Sequence, residues 1–117
     1  MYGNHFKFEE LITTETGLDN YPLTDSHLSN LATLWNTLNF LRDKLERPII
    51  VNSGYRTPPV NKAVGGAKRS LHMEGRAADI RTQPMYLGEL WKLVEQYDAE
   101  FGLSEKILYP TFIHIAI

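Results

Sequence analysis

The sequence predicts an α+β domain in which helices pack against a small antiparallel sheet. In two long segments apolar residues recur at intervals of three and four, which is the pattern of amphipathic helices. Short β-branched or alternating segments lie between and after them, which is the pattern of strands. The 117-residue chain shows no internal repeat and no low-complexity linker, so residues 1–117 are expected to form one domain.

The first elements predicted along the chain are helical. Residues 8–12 can form one or two turns. The strongest helix signal runs from Thr24 or Asp25 to Glu46, because Thr24, Asp25 and Ser26 are suitable N-caps and Pro48 prevents continuation. The apolar stripe of this helix consists of Leu28, Leu31, Leu34, Trp35, Leu38, Leu41 and Leu45.

Strands and shorter helices follow. Residues 48–52 are predicted as a short buried strand, and residues 58–64 as a brief helix that two prolines open and Gly65-Gly66 closes. A second strand is expected at 77–80, and an amphipathic helix begins at Pro84. In residues 112–117 the isoleucines alternate with Phe112, His114 and Ala116, so the chain is predicted to end in a strand.

Composition limits the classes of function. The formal net charge is -2 at pH 7, with acids and bases mixed along the chain, so a nucleic-acid partner is not expected. The N-terminal residues lack the apolar run of a signal peptide, and no segment has the length of a membrane span. Synthesis in the cytoplasm is therefore expected. There is no cysteine, so any metal must be held by His, Asp or Glu.

The segment between the first two predicted strands has the character of a binding loop. Residues 53–79 are rich in glycine and polar residues, and they carry His72 and Asp79 near their end. A turn at Gly75 followed by a strand would bring Asp79 back beside His72, and both side chains are good zinc ligands. His114, a polar residue on an apolar strand, is the candidate third ligand. Taken singly, each histidine could instead be a hydrogen-bonded structural residue, and Asp79 could cap a turn or pair with an arginine.

These residues stand in a pattern that resembles a known family. Residues 53–58, Asn61, residues 64–67 and residues 70–80 resemble the peptidase M15 family of zinc D,D-carboxypeptidases and phage endolysins. The most specific part is Ser-x-His-x-x-Gly-x-Ala-x-Asp, which begins at Ser70. Residues 112–115 resemble the closing ligand segment of the family, and the resemblance spans nearly the whole chain. It implies a hedgehog/D,D-peptidase-like fold, and the hedgehog zinc domain shows that such a scaffold does not by itself prove catalysis.

The resemblance implies roles for individual residues. It makes His72, Asp79 and His114 the ligands of a Zn²⁺ cofactor. It matches Arg56 to the arginine that holds substrate and polarises the carbonyl, while a salt bridge that ties down the loop is the structural alternative. Ser70 would bind substrate backbone or shape the turn.

The general base is the point where this sequence departs from the family. Several members carry an acidic residue three positions before the last histidine ligand, and here that position is Thr111. The candidate base is Glu105, which stands where small members carry an acidic residue before the penultimate strand. Glu105 could equally be a solvated loop carboxylate, and Glu74 and Glu100 are alternatives.

The function implied is that of a zinc metallopeptidase that hydrolyses a peptide bond in peptidoglycan stem peptides, as a D,D-carboxypeptidase or as an endolysin-type endopeptidase. The alternative is a catalytically inactive, zinc-stabilised module that binds cell wall or protein. A monomer is expected. Without a signal peptide, action on the cell wall or in the periplasm would require release, for example by a partner holin of a phage.

Overall fold

Helices and a four-stranded sheet form the framework of the computed structural model, which describes residues 4–22 and 24–117. The helices are α1 (Asp25–Leu45), α2 (Pro58–Ala63) and α3 (Leu87–Phe101). The strands are β1 (Ile50–Ser53), β2 (Ala77–Arg81), β3 (Glu105–Leu108) and β4 (Ile113–Ala116). Three 3₁₀ turns lie at Phe8–Leu11, Leu71–Glu74 and Pro84–Tyr86. No helix in the described residues is long and apolar enough to cross a membrane.

Helix α1 begins and ends as local chemistry requires. The Thr24 hydroxyl accepts a hydrogen bond from the backbone N–H of His27 at 3.1 Å, which caps the first turn. The helix ends where Glu46 adopts a left-handed φ of 57°. Most of the predicted stripe is buried, but Leu28 is 47% exposed because it lies in the first turn and lines a surface cleft with residues 4–10. Leu28 thus belongs to the apolar stripe predicted from the sequence but lies outside the hydrophobic core.

The sheet has the strand order β1-β2-β4-β3, and every neighbouring pair is antiparallel. Because side chains alternate along a strand, β2 and β4 each present one row to the helices and another to the opposite face. The inner row is fully buried and belongs to the hydrophobic core with residues of α1 and α3; its members are Ala78, Ile80, Ile113 and Ile115. The outer row contains Asp79 and His114. The predicted α+β fold is confirmed, and the single domain over residues 1–117 stays a prediction.

Two strands differ from what the sequence indicates. Residues 48–52 were expected to be buried, but β1 is an edge strand that begins at Ile50, and Ile50 is 46% exposed. Apolar β-branched residues suit a strand in either position, so composition alone could not place it. The sequence of residues 105–108 does not alternate between polar and apolar side chains, so it predicted no strand there. In the structure these residues form β3, and Ile107 and Leu108 are both exposed.

Candidate metal centre

His72 lies in a 3₁₀ turn that is anchored at both ends. The Ser70 hydroxyl accepts from the backbone N–H of His72 at 3.2 Å, so Ser70 shapes this turn. Gly75 ends the turn with a φ of 74°, as the sequence predicts, and a Cβ there would lie 2.9 Å from the carbonyl oxygen of His27 in α1. Asn30 of α1 also donates to the Glu74 carbonyl at 2.9 Å. These contacts fix the turn on α1.

The orientation of the His72 ring follows from its partner, the carbonyl of Gly54. The Nδ1 atom lies 2.8 Å from that oxygen, which can only accept, so Nδ1 carries the proton and Nε2 keeps its lone pair. Nε2 lies 3.3 Å from Oδ1 of Asp79. A Cβ at Gly54 would lie 2.2 Å from the backbone oxygen of Leu11, so only glycine allows this close approach. The sequence named no such orienting group, although Gly54 is part of the loop pattern.

Strand pairing brings Asp79 and His114 together. They are directly opposite in the register of β2 and β4, and Nδ1 of His114 donates to Oδ1 of Asp79 at 2.8 Å. The rings of His72 and His114 are 5.3 Å apart between centroids. One ligand atom from each of His72, Asp79 and His114 lies within 4.8 Å of the other two. The three residues that the sequence singles out thus form one cluster.

Arg56 lies at the edge of this cluster. Its Nη2 atom is 3.5 Å from Oδ2 of Asp79, and Nε donates to the Ser53 hydroxyl at 2.9 Å. Nη1 donates to the Asn61 side-chain oxygen at 3.3 Å. A Cβ at Gly66 would lie 2.0 Å from that oxygen, so Gly66 leaves room for the pair.

The charges of the cluster are coupled. Burial favours the neutral form of Asp79, but its contacts with His114 and His72 outweigh this effect and hold the pKa of Asp79 well below its usual range. The hydrogen bond with Asp79 raises the pKa of His114 above its ordinary value, and Glu105 adds to the effect while burial opposes it. Burial lowers the pKa of Arg56, although Asp79 partly offsets this. Asp79 is therefore held as a carboxylate between two imidazole rings and the guanidinium of Arg56.

The candidate acids for the base role lie in different places. Oε1 of Glu105 accepts from Nε2 of His114 at 2.8 Å, so Glu105 adjoins the cluster. Glu74 forms an exposed ion pair with Arg76 at 3.5 Å, and Glu100 is exposed on α3. Glu105 is the first residue of a strand, so it is held by the sheet and does not lie in a loop.

The donor set fits zinc. Two imidazole nitrogens and one carboxylate oxygen are the ligands of many catalytic zinc sites, which keep the fourth position for water or substrate. His72 already has its outer nitrogen hydrogen-bonded to a carbonyl, as ligating histidines commonly do.

Comparison with known proteins shows to which family the chain belongs. The model of the family described as peptidase M15 matches residues 4–116. The chain belongs to the peptidase M15 family. This M15 chain is 42% identical over 50 residues to the zinc D-Ala-D-Ala carboxypeptidase of Streptomyces albus G, a match that covers 43% of the chain and 20% of that protein. It is also similar to the crystal structure of the Serratia marcescens L-Ala D-Glu endopeptidase, with 17% identity and a TM-score of 0.53 over 89% of this chain and 95% of that one. The predicted family is confirmed, and the structural likeness supports the fold.

Proposed function

We propose that the protein is a zinc-dependent peptidase that hydrolyses a peptide bond in the stem peptides of peptidoglycan. The observation that carries the proposal is the convergence of His72, Asp79 and His114, with one ligand atom each within 4.8 Å, on a chain of the M15 family. The relatives support the substrate class, since one is named a D-Ala-D-Ala carboxypeptidase and the other an L-Ala D-Glu endopeptidase. The chain spans only 20% of the length of the carboxypeptidase.

The residues in and around the cluster have different roles in the proposed reaction. Zinc, when bound by these three side chains, lowers the pKa of water towards ~7 and polarises a carbonyl. The Gly54 carbonyl holds His72 in the tautomer whose Nε2 can bind a metal. Arg56, whose side chain is only 14% exposed, stabilises the negative charge that develops on the carbonyl oxygen of the scissile bond. Ser70 remains a proposed substrate contact in addition to its role in the turn.

A cleft beside Arg56 is the proposed path of the peptide. Its volume is about 650 Å³, and all four residues of β1 line it together with residues 13–16. Arg56 lines the cleft and also contacts Asp79, so the cleft adjoins the metal-binding cluster. Arg81 adds a second guanidinium, while Glu15 is the acidic residue of the lining. This balance of charge favours a peptide that carries carboxylates, as stem peptides do.

A zinc-stabilised binding module without turnover is the second candidate. The observation in its favour is Thr111, an exposed residue at the position where several family members carry an acid. A threonine hydroxyl cannot take a proton from water at neutral pH, so turnover requires another acceptor. The monomeric state and release by a holin stay predictions.

The proposed function is tested with purified protein and purified peptidoglycan. With one equivalent of zinc, we expect new amino groups to appear, and mass spectrometry of the soluble products shows which bond is cut. His72→Ala, Asp79→Ala and His114→Ala should each lose hydrolysis and bound zinc in elemental analysis while keeping the circular-dichroism spectrum. His5→Ala is the matched control, since His5 pairs with Asp43 outside the cluster. Zinc binding without hydrolysis between pH 5 and 9 would favour the binding module, and a wild type without zinc would refute the metal site.

A further inference from the structure

We propose that Glu105 is a positioning residue, which accepts a hydrogen bond from Nε2 of His114 and fixes the ring so that Nδ1 binds the metal. The inference deepens the zinc-peptidase function proposed above and rests on it. It replaces the general-base role that the sequence suggests for Glu105 with a role in metal binding.

The two nitrogens of His114 face different partners. Nδ1 lies 2.8 Å from Oδ1 of Asp79, and this same oxygen lies 3.3 Å from Nε2 of His72. Nδ1 therefore points into the cluster of ligand atoms. Nε2, on the other side of the ring, lies 2.8 Å from Oε1 of Glu105. A metal held at Nδ1 leaves an N–H at Nε2, and a carboxylate is the acceptor such an outer nitrogen commonly has.

The position of Glu105 does not suit a base. A general base must come within about 2.6–3.2 Å of the proton it removes, or reach it through one water. The imidazole ring of His114 stands between Glu105 and the ligand atoms of the cluster. The carboxylate oxygen that accepts from Nε2 is thus engaged with the ring, on the side away from Asp79.

The sheet holds Glu105 in this place. In the pairing of β3 with β4, Ile107 is opposite His114 and Glu105 is opposite Ala116. Glu105 is therefore a diagonal neighbour of His114 on the same face of the sheet, within reach of its side chain. The His114 side chain is only 13% exposed and that of Glu105 is 47% exposed, so a solvent-facing carboxylate covers the outer edge of a largely buried ring.

Zinc affinity separates the two roles, since a base contributes to the rate and a positioning residue contributes to binding. Competition with a chromogenic chelator gives the zinc Kd of wild type, Glu105→Gln and Glu105→Ala. We expect Glu105→Ala to weaken zinc binding by about 10–100-fold. Glu105→Gln should weaken it less, because the amide oxygen still accepts from Nε2–H. At saturating zinc, kcat of Glu105→Gln should stay within a few-fold of wild type.

A base role gives the opposite result. Zinc affinity would then be unchanged in both variants, and kcat of Glu105→Gln would fall by about 10²–10⁴-fold, which would overturn the proposal. Glu89→Ala, an exposed carboxylate of α3, is the matched control and should leave the zinc Kd unchanged. Long-range ¹H–¹⁵N NMR of the zinc-loaded wild type should show the His114 proton on Nε2, and a proton on Nδ1 would also overturn it. A wild type that binds no zinc would refute the proposed function itself.

Discussion

A single carboxylate connects the proposed metal-binding histidines to the arginine that is proposed to bind substrate. Oδ1 of Asp79 faces the two histidines, while Oδ2 lies 3.5 Å from Nη2 of Arg56. The guanidinium is also held by Ser53 and Asn61, so three groups fix its plane. Arg56 therefore has the salt bridge of the structural interpretation, and it also lines the cleft that the catalytic interpretation requires.

Arg56→Lys separates these two interpretations. A lysine keeps the positive charge but offers one point of contact in place of a planar fork. Hydrogen bonds to charged groups contribute about 1.5–3 kcal/mol, so loss of one such contact in the transition state should lower kcat/KM by about 10–100-fold.

Zinc content of Arg56→Lys should be unchanged, as elemental analysis would show. The control is Arg47→Lys, because Arg47 stacks on Tyr86 away from the cluster, 4.6 Å from the ring centroid. If Arg56→Lys kept the kcat/KM of the wild type, the only remaining role of Arg56 would be its salt bridge with Asp79.

At the level of elements, the spacing of apolar residues and the helix caps were predictable from the sequence, but the pairing of the strands was not. The alternation around His114 correctly placed this residue on the face opposite Ile113 and Ile115. Which strand lies beside it depends on long-range register, and the register alone puts Asp79 opposite His114. The family resemblance named these two residues as ligands of one metal, but it did not predict the strand pairing that brings them together.

The parts that sequence reasoning missed share a physical reason. β3 packs few apolar side chains, so no periodicity marks it. The contact between the Gly54 carbonyl and His72 involves a backbone oxygen, which has no residue-specific signal. The edge position of β1 is likewise a property of the sheet, and the cleft beside β1 follows from it.

A prediction at the level of elements concerns Arg81 of β2. Arg81 is paired with Ile50 of the edge strand β1 and lines the cleft. Arg81→Gln removes one positive charge from the proposed peptide path. Exposed ion pairs contribute up to about 1 kcal/mol, so KM for an acidic stem peptide should rise by about 2–5-fold with kcat unchanged. Steady-state kinetics with Arg47→Gln as the matched loss of charge tests this. An equal rise in KM in both variants would mean that net charge causes the effect, and it would contradict the proposal that the peptide binds in the cleft.

On the scale of the whole molecule, the core and the candidate metal centre occupy opposite faces of one sheet. The buried row of β2 and β4 packs on α1 and α3, and the three proposed ligands project from the other face or from the turn at 71–74. His114 lies between Asp79 and Glu105 and is hydrogen-bonded to both carboxylates, so the protein's own side chains hold the ring in place. The fold should therefore persist in chelator.

Zinc should nevertheless raise the stability of the whole molecule. The proposed ligands are residues 72, 79 and 114, so an ion that they bind only in the folded chain would connect a turn and two strands. At a free zinc concentration of 100 Kd, such binding adds about 2.7 kcal/mol, which corresponds to a rise in Tm of roughly 10 °C. Differential scanning calorimetry with and without zinc measures it. His114→Ala should show little of this rise and His5→Ala nearly all of it. An equal rise in His114→Ala would mean that zinc stabilises the chain at another site, and His114 would lose its place among the ligands.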